Sequence, residues 1–427
     1  MSGIKVFNED PEQLKPLIHG SSGGSPTQIA VNSSGRVNTL VYDINGNIAN
    51  FNSTAFKELR VAEMTAVTGW TFNYNINSDL VTSTTTGSGT ITTSNSKAVL
   101  QTTAATSSSA KIATKNVLRY LPGIGALVRF TASFTTGVAG STQIIGVGDD
   151  TDGFFFGYNG SSFGILRRQN GSDFWIAQSS WNGDKFDGTG VSGVTLDQTK
   201  GNVYFINYQW LGYGYVVFGI EDPSTGDFII AHSIQYANTS TDPTVFNPTF
   251  PIMAEVKNTT NNTNITLQTL SAMGFVEGKI TAAIDTRNSI SSYKTGVSSE
   301  VAILSIRNKS TYQAKTNRVR IRLDYLSVSV DGTKNAEVRL IKNTTLGGTP
   351  SWTDINTNTS VIEYDTSATT VTGGDLVIST QVAKNISKDL FLDSLDLILS
   401  PGDTLTVSAS TSRTAEVGVA LSWREMF

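Results

Sequence analysis

Cysteine is absent from this chain of 427 residues. Its absence excludes disulfides, thiolate metal sites and cysteine nucleophiles. Histidine is nearly absent, with only His19 and His232. A Ser-His-Asp triad would need one of them. His19 lies in a linker-like arm and His232 ends a strand-like run, so a structural role is expected for the latter. A histidine-rich zinc centre is excluded by count. Charged residues make up 15% of the chain, against about 25% in typical globular domains. The net charge of −4 supplies no basic field to attract nucleic acid. No uninterrupted apolar run approaches the roughly 20 residues that span a bilayer. Neither nucleic acid nor membrane is therefore an expected partner. The opening MSGIKVFNEDPEQ carries acids and no apolar segment, so a secretory signal is not expected and synthesis in a cytosol is the default.

What fills the composition instead is small and polar, or aromatic. Glycine numbers 39, and 20 Phe, 13 Tyr and 6 Trp are spread along the chain. Ser, Thr and Asn are abundant between β-branched residues, which fits many short strands joined by tight turns. The expected class is all-β, in three parts.

Residues 1–68 read as an extended attachment arm. GSSGGSP (Gly20–Pro26) has linker composition. Gln28–Val37 and Thr39–Ile48 each place β-prone residues around a turn in which Gly35 or Gly46 can take positive φ, a hairpin signal. Phe56–Met64 is compatible with a short helix. Two small hairpins cannot bury a core alone, so a neighbouring subunit or docking partner is expected to cover them.

Residues 69–279 read as a large jelly-roll sandwich. In Ala126–Thr136, Val128, Phe130 and Ala132 alternate with Leu127, Arg129 and Thr131. Tyr204, Ile206, Tyr208 and Trp210 share one strand face, and Val216, Phe218 and Ile220 line the next. Asp222–Asp227 then turns the chain into Phe228, Ile229 and Ile230.

Residues 280–427 read as a smaller C-terminal sandwich. Val319, Ile321, Leu323 and Tyr325 face in, while Arg318, Arg320 and Arg322 form a stripe expected to be a wet sheet face or a subunit seam. Leu326, Val328 and Val330 then continue one residue out of phase, which predicts a β-bulge near Tyr325–Leu326. Leu405, Val407 and Ala409 are expected to pair, as a hairpin, with Val417, Val419, Leu421 and Trp423, tying the end of the chain into a sheet.

A catalytic carboxylate pair must face one cleft. The candidate acids Asp149, Asp150, Asp152, Asp173, Asp184, Asp187, Glu221 and Asp222 nearly all sit in Gly/Asn turn contexts, where Asp bonds its own backbone. No catalytic residue follows from them. WNGDKFDGTG fails the spacing of a calcium loop, and Asp149, Asp150 and Asp152 would need further oxygen ligands. The expectation is no metal and no cofactor. Aromatics beside glycines are the better pointer, among them Tyr158, Trp175, Trp181, Phe186 and Tyr213. A ring stacks on the C–H face of a sugar while acids take its hydroxyls. A glycan site is therefore expected at Trp175, Trp181, Asp184 and Asp187, with the alternative that the rings cap the sandwich core. Arg167–Arg168 is read as an ion pair or subunit contact.

With these residues in view, FGILRRQNGSDFWIAQSSWNGDKFDGTG and the run that follows it to Asn238 resemble a concanavalin-A-like, lectin/glucanase-type jelly-roll module of tailed-bacteriophage virion proteins. LSPGDTLTVSASTSRTAEVGVALSWRE resembles the closing strands of phage β-sandwiches, and TQIAVNSSGRV resembles their attachment segments. The resemblance implies a fibre, tail or head-fibre subunit of the virion, assembled in the host cytoplasm. It would dock to other virion proteins through residues 1–68, associate with its own copies as a dimer or trimer, and contact host-surface glycans. The alternatives are a polysaccharide-cleaving depolymerase on the same fold, or a purely structural capsid or tail decoration protein. The E-x-D-x-x-E strand of jelly-roll glucanases does not occur in this chain.

Overall fold

The computed structural model describes residues 62–280 and 284–427, together with the backbone of two paired strands, His19–Ser22 and Ser25–Gln28. That pairing lies within the stretch of linker composition. The two hairpins expected further along the arm lie outside the described residues, as does most of the helix-compatible stretch. Its last residue, Met64, opens a strand, Met64–Thr71.

From Met64 to Glu277 the chain is an all-β sandwich of two sheets. The seven-stranded sheet runs Ser172–Ala177, Ser162–Gln169, Gly153–Asn159, Ser141–Gly148, Ile252–Asn258, Ser108–Thr114 and Val81–Thr86. The second sheet, of nine strands, is organised around Ala126–Phe134. That strand pairs with Asn202–Tyr208 on one edge and with Thr266–Thr269 and Ser271–Glu277 on the other.

Period-two alternation explains the core. Val128, Phe130, Ala132, Tyr204, Ile206, Tyr208, Val216, Phe218 and Ile220 are all buried in one cluster with Phe154 and Phe156 of the facing sheet. Tyr204 stacks on Phe130 at 5.6 Å and meets Phe156 at 5.0 Å. Each such ring buried is worth about 1.5–3 kcal/mol of transfer free energy.

The second sandwich has its own core. One sheet holds Asp285–Val297, Ala415–Met426, Arg320–Gly332 and Ile386–Phe391 in that order. The other is built around Val301–Asn308, Thr404–Thr411 and Ala336–Lys342. The expected phase slip is present: the register between Arg320–Gly332 and Ala415–Met426 shifts between Leu323 and Tyr325, so Asp324 is the extra residue.

The expected C-terminal hairpin is not formed. Thr404–Thr411 and Ala415–Met426 lie in different sheets, because the chain crosses the sandwich between them. Leu405, Val407 and Ala409 meet Val417, Val419, Leu421 and Trp423 face to face across the core. Apolar faces bury more fully against one another than along one sheet, and alternation alone does not distinguish the two arrangements. The final strand is nevertheless held on both edges.

The arginine stripe is also placed differently. Arg318 and Arg320 are buried, not a wet face. Arg318 donates from Nη1 to the carbonyls of Asn247 (2.8 Å) and Thr249 (3.0 Å) of the first sandwich. Its Nη2 meets the Asp149 carboxylate and donates to Thr151 Oγ1 at 3.0 Å. Arg322 alone stays half-buried, 3.3 Å from Asp396.

Candidate functional site

Four residues named from sequence fall into two places. Trp181 is 2% exposed and belongs to the core, edge-on to Phe156 at 6.0 Å and near Phe163 at 6.2 Å. It presents no ring to solvent, so its part in a sugar platform is replaced by a scaffold role. Asp184 is buried, and both of its oxygens are committed. Oδ1 accepts from Phe186 N and Oδ2 from Ser192 N, each at 2.8 Å. A Cβ at Gly190 would lie 2.1 Å from that carboxylate, which is why the loop needs glycine there. Phe186, fully buried, takes φ +51, a left-handed conformation rare for a bulky residue and held here by the Asp184 bond. Asp187 is exposed and closes an Asx turn, its Oδ1 accepting from Thr189 N and Thr189 Oγ1. Those two bonds hold its carboxyl below the ordinary value.

His232 is buried, its Nδ1 accepting from Asn182 N at 3.2 Å. Burial lowers its pKa. The fold therefore favours the neutral ring, and this contribution to stability is complete above about pH 6.5 and declines as the pH falls through and below that value. A proton NMR titration should show the His232 ring protonating below pH 6.5. Titration at or above 6.5 would contradict the buried acceptor role.

The candidate acids around Asp149 are likewise spent separately. Asp150 pairs with Lys111 Nζ at 2.7 Å. Asp152 Oδ1 accepts from Asn170 N and Phe246 N at 3.1 and 2.8 Å. Asp149 caps Thr151 and Asp152 and faces Arg318. Arg167 and Arg168 point to opposite faces of their strand. Arg168 grips Asp173 at 2.6 Å, and Arg167 stacks on Phe174 at 4.2 Å.

Trp175 lies elsewhere, on the outer face of the seven-stranded sheet. It packs half-buried on a patch of Ile144, Phe155, Leu166 and Met253. The same face carries a polar cleft of about 350 Å³, lined by Thr84, Lys111, Asp150, Arg168, Asp173 and Glu255. Strand register sets Glu255, Lys111 and Thr84 side by side in it. Ala177, Gly164, Gly157, Ile144, Glu255, Lys111 and Thr84 form one cross-strand row. A Cβ at Gly157 would lie 1.8 Å from the Gln143 carbonyl, and one at Gly164 2.3 Å from that of Ile176. The row is therefore small and apolar on one side, through Ala177, Gly164, Gly157 and Ile144, and polar on the other, through Glu255, Lys111 and Thr84.

Glu255 occupies the boundary. It is half-buried, and no donor of the described residues lies within hydrogen-bonding distance of its carboxylate. Burial raises its pKa and Asp150 adds to the effect, against the opposing charges of Lys111, Arg168 and Lys257. Protonated, it donates; ionised, it accepts. In both forms its hydrogen-bonding capacity is open toward the cleft.

Sequence reasoning passed over Glu255, although the signal was present. In IMAEVKN, Met253, Glu255 and Lys257 alternate with buried Ile252, Ala254 and Val256.

No protein-family model and no curated protein matches the chain. Solved structures do resemble it. Lectin I-B4 from Griffonia simplicifolia, in its metal-free form, aligns at 12% identity and TM-score 0.31, over 49% of this chain and 98% of its own. Peanut lectin aligns at 12% identity and TM-score 0.32, over 52% and 100%. A glycosyl hydrolase family protein from Mycobacterium fortuitum aligns at 11% identity and TM-score 0.33, over 49% and 99%. These neighbours cover about half of this chain, and the reading of the cleft rests on its own geometry.

Proposed function

We propose that this chain is a carbohydrate-binding β-sandwich protein whose ligand lies along the outer face of the seven-stranded sheet. The observation that carries the reading is Glu255, a half-buried carboxylate in an open polar cleft that no donor of the described residues bonds. Its oxygens are open to a ligand that bonds them. A polyol does so with paired hydroxyls, while Trp175 offers an apolar edge on the same face and Thr84, Lys111 and Asp173 offer further polar contacts. The sequence resemblance supports the wider role: a fibre or appendage subunit of a tailed-bacteriophage virion, docked through residues 1–68 and associated with its own copies. The glycan would then be one displayed on the host surface.

Titration calorimetry against a panel of bacterial surface oligosaccharides tests the reading. We expect at least one ligand to bind, and Glu255→Gln to weaken it about 10- to 100-fold, the loss of a charge-assisted hydrogen bond. Trp175→Ala should weaken it further. Binding left intact by both substitutions would place the ligand elsewhere. Release of reducing ends from the same panel would favour the depolymerase.

A further inference from the structure

The β-bulge of the second sandwich turns two consecutive residues to the same side. Leu323 and Leu326 are both buried in the core. Asp324 and Tyr325, between them, therefore share the outer face, where regular alternation would have turned one of them inward. An acid and an aromatic ring thus stand side by side. Register adds to the pair from both neighbouring strands. Tyr325 lies opposite Phe391 on one side and Ser422 on the other, and Arg424 lies opposite Arg287. Together with Asp393, from the turn after Phe391, these residues line a crevice of about 440 Å³, within the range of small-molecule sites.

Phe391 is 73% exposed, so its ring is open to an apolar C–H surface. Tyr325 backs it at 5.5 Å. Asp324 is fixed beside the rings, its two oxygens accepting from Arg424 Nε at 2.8 and 3.1 Å. Those bonds use Nε alone. The two terminal nitrogens of Arg424 are neither buried nor bonded by the described residues. Arg287, 4.0 Å from the same carboxylate, has a side chain 75% exposed. Polar groups that donate and accept thus border an exposed ring, and a pyranose stacked on that ring would bring its hydroxyls to them. Two arginines and two aspartates line the crevice. Their charges cancel, so the site does not select an anion.

We propose that this crevice binds a neutral sugar residue, stacked on Phe391 and hydrogen-bonded by Arg424, Arg287 and Asp324. It lies on the second sandwich, on other strands than the Glu255 cleft, and does not depend on it.

Titration calorimetry of the full chain with neutral oligosaccharides of glucose, galactose and N-acetylglucosamine, and with a glucuronate oligosaccharide, tests it. The Glu255→Gln variant is used, so that the first cleft is weakened. It should bind at least one of the neutral oligosaccharides. Phe391→Ala in the same background should weaken that binding about 3- to 10-fold, the contribution of one stacked ring, and Arg287→Ala should weaken it as well. Both side chains are mostly exposed, so neither substitution threatens the fold. No neutral oligosaccharide bound by Glu255→Gln, binding unchanged by Phe391→Ala, or a preference for glucuronate overturns the proposal. So does a self-association, read by sedimentation, that Phe391→Ala abolishes, because the crevice would then face a second copy. Wild-type binding that Glu255→Gln abolishes removes this site alone. Binding that Phe391→Ala weakens and Glu255→Gln leaves intact removes the Glu255 reading alone.

Discussion

Glu425→Gln should destabilise the protein by about 2–4 kcal/mol, the range for unsatisfying a buried charged acceptor. Glu425 is fully buried, yet no cation of the described residues pairs with it. Its charge is met by four neutral donors. Oε1 accepts from Asn288 Nδ2 at 2.8 Å, Ser360 Oγ at 2.6 Å and Trp423 Nε1 at 3.0 Å. Oε2 accepts from Val361 N at 2.8 Å. An amide can accept at only one end. Either rotamer sets its own N–H₂ against at least one donor, and the lost ionic character weakens the remaining bonds. Glu425→Leu should be worse than Glu425→Gln, since all four donors then go unmet. Guanidinium unfolding curves measure both. A Gln variant within about 0.5 kcal/mol of wild type, the scatter of ordinary surface changes, would mean that the four donors find other partners.

Arg318→Ala should also be severe, by about 3–5 kcal/mol, because it leaves a partly buried carboxylate without its cation. It should further separate the melting of the two sandwiches. Arg318 spans them through Asn247, Thr249, Thr151 and Asp149. Calorimetry of the wild type should show one transition where the variant shows two.

The pH dependence follows from Asp149. Burial works to raise its pKa, but Arg318, the Thr151 hydroxyl and the N–H groups of Thr151 and Asp152 outweigh it, and the net shift is downward. A depressed carboxylate stabilises the fold above its unfolded value, near pH 3.8–3.9. That contribution is lost as the pH falls through the lower, folded value. The wild type should lose stability below about pH 4 more steeply than Arg318→Ala. Parallel curves would remove Asp149 from the account.

The residues that carry these predictions differ in how far the sequence exposed them. The strands themselves were legible, because alternation such as Tyr204, Ile206, Tyr208 is forced whenever one sheet face is buried. So was the slip at Leu323–Tyr325. Glu425 was within reach too. Val417, Val419, Leu421 and Trp423 set an inward parity that includes position 425, and an acid there demands donors.

Which sheet a strand joins was not legible. Thr404–Thr411 and Ala415–Met426 have the pattern of a hairpin, and only the opposing core shows that they face each other. The same limit applied to the arginines. Outward parity placed Arg318 and Arg320 correctly on the outer face of their sheet, but the first sandwich meets that face at Arg318. The candidate site shared this fate. Tryptophan beside glycine and aspartate suggested an exposed ring at Trp181, whereas the side chain is drawn inward and the loop's acids hold the backbone around it.

Ala415–Met426 lies between Asp285–Val297 and Arg320–Gly332, so the strand made last during synthesis among these three is the one that joins the other two. Until it emerges from the ribosome, both neighbours present unpaired edges toward the vacant position. Closure must bring together segments more than 100 residues apart, as in Ser289 with Ser422. Non-local closure of this kind is slow, and exposed edges invite pairing with another chain. The second sandwich is therefore expected to fold only after residues 415–426 have been made, and a ribosome that stalls before residue 415 should leave a chain prone to aggregate.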